Sequence, residues 1–170
     1  MVESPMLDLT LGFALAALPS AALLVWFRRL DRQRPKPVGL LGRSVLLGFL
    51  ATAPAAVIQV FLLRAGPVRP FLLAAAFDAF LVAGLVEEGV KYLAVRQYLY
   101  RRPEFDRRVD GVVYAACVSL GFAFAENLLY GLEGSWVLLL RAFTAVPMHA
   151  AVSGVMGYWI GRAKVEGRPA

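Results

Sequence analysis

Residues 71–100, FLLAAAFDAFLVAGLVEEGVKYLAVRQYLY, read as one membrane-crossing helix with an ionic triplet, Glu87, Glu88 and Lys91, set into it. The stretch is long enough to cross a hydrocarbon core of about 30 Å at a rise of about 1.5 Å per residue. A carboxylate in that medium costs several kcal/mol unless it faces a bundle interior or finds a partner, so the triplet marks a candidate functional site. Two further apolar segments each carry an ionisable group: Glu126 in GFAFAENLLY and His149 in VPMHAAVSG. Successive hydrophobic helices armed in this way point to an intramembrane active site or an ion path.

Composition agrees with a membrane protein. Apolar residues make up 59% of the 170, against about 45–50% in soluble domains. The chain reads as an all-α polytopic bundle of about five spans, near 6–27, 44–63, 71–100, 110–130 and 136–161. Residues 1–170 form a single integral-membrane domain whose motif-bearing part is 71–161. Cys117 is the one cysteine, which excludes an internal disulfide and any CxxC metal or redox motif and leaves a packing role.

The net charge of +6 invites a nucleic-acid reading, but the distribution of the charge argues otherwise. Arg28, Arg29, Arg32, Arg34, Lys36 and Arg43 crowd the first interhelical loop. Arg96, Arg101, Arg102, Arg107 and Arg108 crowd the third, and Arg162, Lys164 and Arg168 the tail. The second loop has only Arg64 and Arg69, and the fourth has none. This alternation follows the positive-inside rule and predicts an external N-terminus and a cytoplasmic C-terminus. The basic residues thus have the lipid bilayer, not nucleic acid, as their partner. Glu3 and Asp8 precede the first span where a cleavable signal would be basic, so that segment reads as a retained helix.

Within the triplet, Lys91 lies at i+4 from Glu87 and i+3 from Glu88 and reaches either. A lysine can hold one carboxylate ionised while burial tunes the other toward the neutrality a general base needs. Hairpin geometry puts Glu88 and His149 within about 5 Å in depth, with Glu126 roughly 10 Å farther out and level with Arg141. Glu126 then either reaches His149 through helix tilt or bonds Arg141. Asn127 is placed to polarise a carbonyl or to bond a neighbouring helix. Asp78 reads as peripheral, and Gly84, Gly121, Gly154 and Gly157 as close-packing positions. Pro147 is expected to loosen the turn ahead of His149.

Three motifs follow in order, each in its own span: EEGVK fits EExxK, FAFAEN fits FxxxEN with Tyr130 after it, and RAFTAVPMHAAVSGVMGYWIG fits an R…PxHA…G block. Together they resemble the PrsW family of intramembrane proteases, relatives of the CAAX-protease and bacteriocin-processing superfamily. The resemblance implies hydrolysis of a membrane-anchored, anti-sigma-factor-like protein in the cytoplasmic membrane of a prokaryote. It implies Glu87 and Glu88 as essential carboxylates, with Glu126 and His149 completing the catalytic set and Lys91, Asn127 and Arg141 supporting it.

The chemistry expected is glutamate-activated attack of water, and which of Glu87 and Glu88 is the base stays open. With one histidine and no HExxH the usual zinc-protease set is missing, so no cofactor is expected, although three glutamates and a histidine could hold a metal. Two other readings use the same buried cluster: a proton- or ion-coupled transporter, for which a homo-oligomer could supply the missing half, and a catalytically silent scaffold.

Overall fold

The computed structural model describes residues 5–30, 34–65 and 70–168; Glu3, Arg32 and Arg69 lie outside them. The described residues are mostly helical, without strands. Helix α1 (Pro5–Leu30) is followed by α2 (Val38–Ala65). A continuous helical run over 71–99 comprises α3 (Phe71–Phe77), a π-helical stretch Asp78–Leu85, α4 (Val86–Ala94) and a second π-helical stretch Val95–Leu99. Then come α5 (Arg108–Tyr130), a 3-10 turn Gly131–Glu133, α6 (Ser135–Phe143) and α7 (Ala145–Val165).

Prolines and one glycine set several of these boundaries. Pro37 precedes α2, and its carbonyl accepts the Leu40 and Leu41 N–H groups at 3.0 and 3.1 Å. Pro70 plays the same part for α3, accepting from Ala74 at 2.9 Å. Its missing N–H is one of the donors a helix start leaves unused anyway. Gly134, at φ 122°, ends the turn between α5 and α6 in a region that favours glycine.

Among the described residues, four segments are long and apolar enough to cross a membrane: 10–29, 38–64, 108–133 and 135–165. The run over 71–99, interrupted by wider turns and carrying the ionic triplet, is the fifth long helical segment. Two of the expected boundaries move. Helix α2 begins at Val38, well before 44. The last span, expected to be unbroken, is split at Thr144 (φ −117°, ψ −77°), one turn ahead of Pro147. Pro147 has no N–H to offer the preceding turn, and at the break the Leu140 carbonyl accepts both the Thr144 N–H at 3.1 Å and Thr144 Oγ at 2.8 Å. The loosened turn therefore lies farther from His149 than the proline itself suggests.

Helix α5 is the axis of the bundle. Of its spanning stretch 72% is buried, against 17–28% for the other three. Phe71, Leu72, Phe80, Val57 and Phe61 on the outer helices are largely exposed, as side chains facing lipid should be. Small residues let the neighbouring helices close on α5. A Cβ at Gly121 would stand 2.0 Å from the Val45 carbonyl oxygen of α2, and one at Gly48 only 1.7 Å from that of Val118. On the other side Gly111 and Gly157 face one another, each leaving about 2 Å between an added Cβ and the opposing carbonyl. Of the four expected packing glycines, Gly121 and Gly157 sit at such crossings. Gly84 and Gly154 do not, since a Cβ there would meet only Ala79 of its own turn at 3.2 Å or Val112 at 3.8 Å. Gly157→Val is expected to force α5 and α7 apart and cost about 3 kcal/mol, the upper end for overpacking. Thermal unfolding in detergent measures it, and a wild-type midpoint would refute the tight crossing.

Part of the basic-loop end is tied by internal pairs. Lys36 sits 2.6 Å from Asp110 Oδ1 and donates to the Glu104 carbonyl at 3.1 Å. Arg107 pairs with Asp110 at 3.0 Å, whose Oδ2 accepts the N–H groups of Asp106 and Arg107 at 2.9 and 2.8 Å and caps α5. Lys164 of α7 donates to the Tyr100 and Arg102 carbonyls. Lys36, Arg107 and Lys164 thus have protein partners at this end.

Candidate active site

The seven residues singled out from the sequence meet in one polar cluster on four helices, six of them joined by hydrogen bonds and Glu87 by ion-pair distances. Glu87, Glu88 and Lys91 come from α4, Glu126 and Asn127 from α5, Arg141 from α6 and His149 from α7. The fully buried Lys91 is the hub. Its Nζ donates to Glu88 Oε1 at 2.8 Å and to His149 Nδ1 at 2.9 Å, stands 3.7 Å from Glu87 Oε2, and lies 4.3 Å above the Phe122 ring. An ammonium has no lone pair, so Nδ1 accepts and the ring proton sits on Nε2. That proton goes to Glu126 Oε2 at 2.9 Å.

Glu126 therefore reaches His149, and it bonds Arg141 as well, at 2.8 Å. The two options left open by depth alone are both realised, because the α6–α7 break turns Arg141 and His149 toward the same carboxylate. Arg141 is further fixed by donating from Nε to Asn127 Oδ1 at 2.7 Å and by stacking 4.1 Å from the Tyr130 ring. Asn127 in turn donates to the Ala16 carbonyl of α1 at 3.3 Å. Asp78 is exposed and apart from the network, as expected.

Three partners were not singled out by sequence reading. Gln59 of α2 donates to Glu87 Oε1 at 3.0 Å. Ser153 of α7, fully buried, donates to Glu88 Oε2 at 2.7 Å. Ser119 of α5 donates to the His149 carbonyl at 2.7 Å and fixes that turn. A signal existed for two of them: Gln59 interrupts the apolar run AAVIQVFLL, and Ser153 lies one helical turn beyond His149 on the same face.

The two adjacent glutamates are held differently. Both Glu88 oxygens are taken, one by Lys91 and one by Ser153. Glu87 has one oxygen on Gln59. The other stands 3.7 Å from Lys91 Nζ and 3.8 Å from His149 Nδ1, beyond hydrogen-bond length. Ser153→Ala is expected to free one Glu88 oxygen at a cost of about 1–3 kcal/mol. Thermal unfolding reads that loss, and an unchanged midpoint would mean that the bond does not hold Glu88.

A cavity of about 300 Å³ is lined by Gln59, Phe122, Glu126, Tyr130 and Glu133, at the end opposite the basic loops. Through Glu126 and Gln59, the partner of Glu87, it borders the network. Glu87, Glu126 and His149 each offer one ligand atom, all within 4.8 Å of one another. Two carboxylates and an imidazole are a donor set that fits a divalent cation such as zinc.

The family described as "PrsW family intramembrane metalloprotease" matches residues 36–170. A protein named Protease PrsW from Geobacillus kaustophilus is 41% identical over 147 residues, which cover 86% of this chain and 64% of that protein. Proteins of the same name from Bacillus subtilis and Clostridioides difficile are 35% and 32% identical, over 86% and 91% of this chain and 66% and 67% of their own lengths. The chain thus spans about two thirds of the length of the curated relatives it matches. No solved structure matches it. With a family match over most of its length and the residues of all three motifs gathered into one buried network, this multi-pass membrane protein belongs to the PrsW family.

Proposed function

We propose that the protein is an intramembrane peptidase that uses Glu87 to activate water against a peptide bond of a membrane-anchored protein. The observation that carries this is the unsaturated Glu87 Oε2, aimed between Lys91 and His149 beside a cavity that Gln59 and Glu126 line. As water attacks the scissile carbonyl carbon, one of its protons passes to Glu87 Oε2. Arg141 has five N–H donors; one bonds Asn127 and another Glu126, leaving others for the developing oxyanion. When the tetrahedral species collapses, the proton held by Glu87 passes to the leaving nitrogen as the C–N bond breaks. Glu88 is the counter-ion that holds Lys91 in place, and Glu126 orients His149.

A divalent cation is the second reading, favoured by the proximity of Glu87, Glu126 and His149. Those residues would hold it, and it would polarise the carbonyl and acidify bound water. Positive-inside loops support a site opening on the external side of a bacterial cytoplasmic membrane, where an anti-sigma-factor-like substrate would be cut.

The test is cleavage of single-span membrane proteins by purified protein, with and without a chelator. Chelator-resistant cleavage is expected. Cleavage lost with the chelator and restored by zinc would transfer the chemistry to the metal reading. The absence of cleavage by folded protein would overturn both.

A further inference from the structure

Two cavities that include no residue of the catalytic network meet at the basic-loop end. One, of about 240 Å³, is an apolar groove between α1 and α2, lined by Leu24, Leu41, Gly42 and Val45 and floored by Val113 and Cys117 of α5. The other, of about 360 Å³, is a cleft formed by Val25, Arg28, Arg29 and Pro35. They share Val25 and Arg28, so the groove opens directly onto an arginine pair. Among the described residues no carboxylate lines either cavity. Unlike Lys36, Arg107 and Lys164 nearby, both arginines are exposed in the last turn of α1, and neither makes an ion pair with a described residue.

We propose that this groove is a site for an anionic glycerophospholipid of the surrounding bilayer, with the phosphate at Arg28 and Arg29 and an acyl chain along Leu24, Leu41 and Val45. Charge complementarity selects the occupant. Guanidinium forks match phosphate oxygens bidentately, and basic pockets between transmembrane helices at this level favour anionic headgroups. The apolar floor selects a lipid over a free phosphate. Gly42 keeps the groove open: a Cβ there would meet nothing within 4 Å, whereas one at Gly48, one turn and a half onward, would collide with α5. The groove is therefore a space that a side chain can fill without disturbing the fold.

Native mass spectrometry of the delipidated full chain tests this with phosphatidylglycerol, phosphatidylcholine and inorganic phosphate as separate probes. Wild type is expected to retain phosphatidylglycerol over phosphatidylcholine by roughly tenfold or more, as two arginines at an anionic headgroup imply. Inorganic phosphate at the same concentration should not displace it. The Arg28→Gln/Arg29→Gln variant should lose the preference. Gly42→Leu, which fills the groove, should lose bound lipid while keeping the wild-type unfolding midpoint.

A control, Arg101→Gln/Arg168→Gln, removes the same charge from the same end and should bind as wild type does. Equal loss in the control and in the Arg28/Arg29 variant would reduce the effect to diffuse surface charge and overturn the site. So would a Gly42→Leu protein that binds normally, or displacement by free phosphate.

Discussion

Glu87→Gln is expected to lower the rate of substrate cleavage roughly 10²–10⁴-fold, the usual contribution of a positioned general base. The amide keeps the shape of the side chain and an oxygen to accept the Gln59 N–H, so the 3.0 Å bond to α2 survives. What it loses is the basic Oε2 between Lys91 and His149. The fold should therefore persist while the chemistry stops, and kcat measured beside a thermal-unfolding midpoint separates the two. Glu88→Gln should behave in the opposite sense. Its oxygens serve Lys91 and Ser153, so a neutral amide weakens the compensation of a buried ammonium, and the midpoint falls first. If the two variants exchange these phenotypes, the roles of the two glutamates are reversed.

Lys91→Met should give the largest loss of stability, about 3–5 kcal/mol, the scale for removing one partner of a buried ion pair. Methionine fills the space under Phe122 but leaves Glu88 Oε1 and His149 Nδ1 without their donor. The negative charge of Glu88 then remains against the bundle with only Ser153 to satisfy it. Adding Glu88→Gln to Lys91→Met should recover part of the loss, because the uncompensated charge goes with it. Unfolding in detergent of both single variants and of the double variant closes that cycle. A Lys91→Met protein as stable as wild type would mean that the ammonium is not the hub.

Much of this site could be read from the sequence, because charged groups in apolar helices are conspicuous. Glu87, Glu88, Lys91, Glu126 and His149 stood out since their cost in hydrocarbon demands partners. Asn127 and Arg141 followed from adjacency and depth. Gln59, Ser119 and Ser153 were missed because uncharged polar residues are common enough in membrane helices to pass as packing. Their importance depends on which face α2 and α7 present to α4, and that is a property of the assembled bundle. Depth alone left Glu126 to choose between His149 and Arg141, because the last helix was read as unbroken. The break at Thr144 brings Arg141 and His149 onto the same Glu126 oxygen. The tight crossing of α5 and α7 at Gly111 and Gly157 was half visible, since one glycine of the pair was singled out and its partner was not.

The most direct test of the peptidase reading is reconstitution of the purified chain in liposomes with a panel of single-span membrane proteins. Product mass and proton flux are followed together for wild type and Glu87→Gln. Discrete fragments are expected from wild type, cut near the bilayer boundary opposite the basic loops, none from Glu87→Gln, and no flux from either. Proton or ion flux from wild type that Glu87→Gln abolishes, with every panel protein left intact, would contradict that reading and make the buried cluster a transport path.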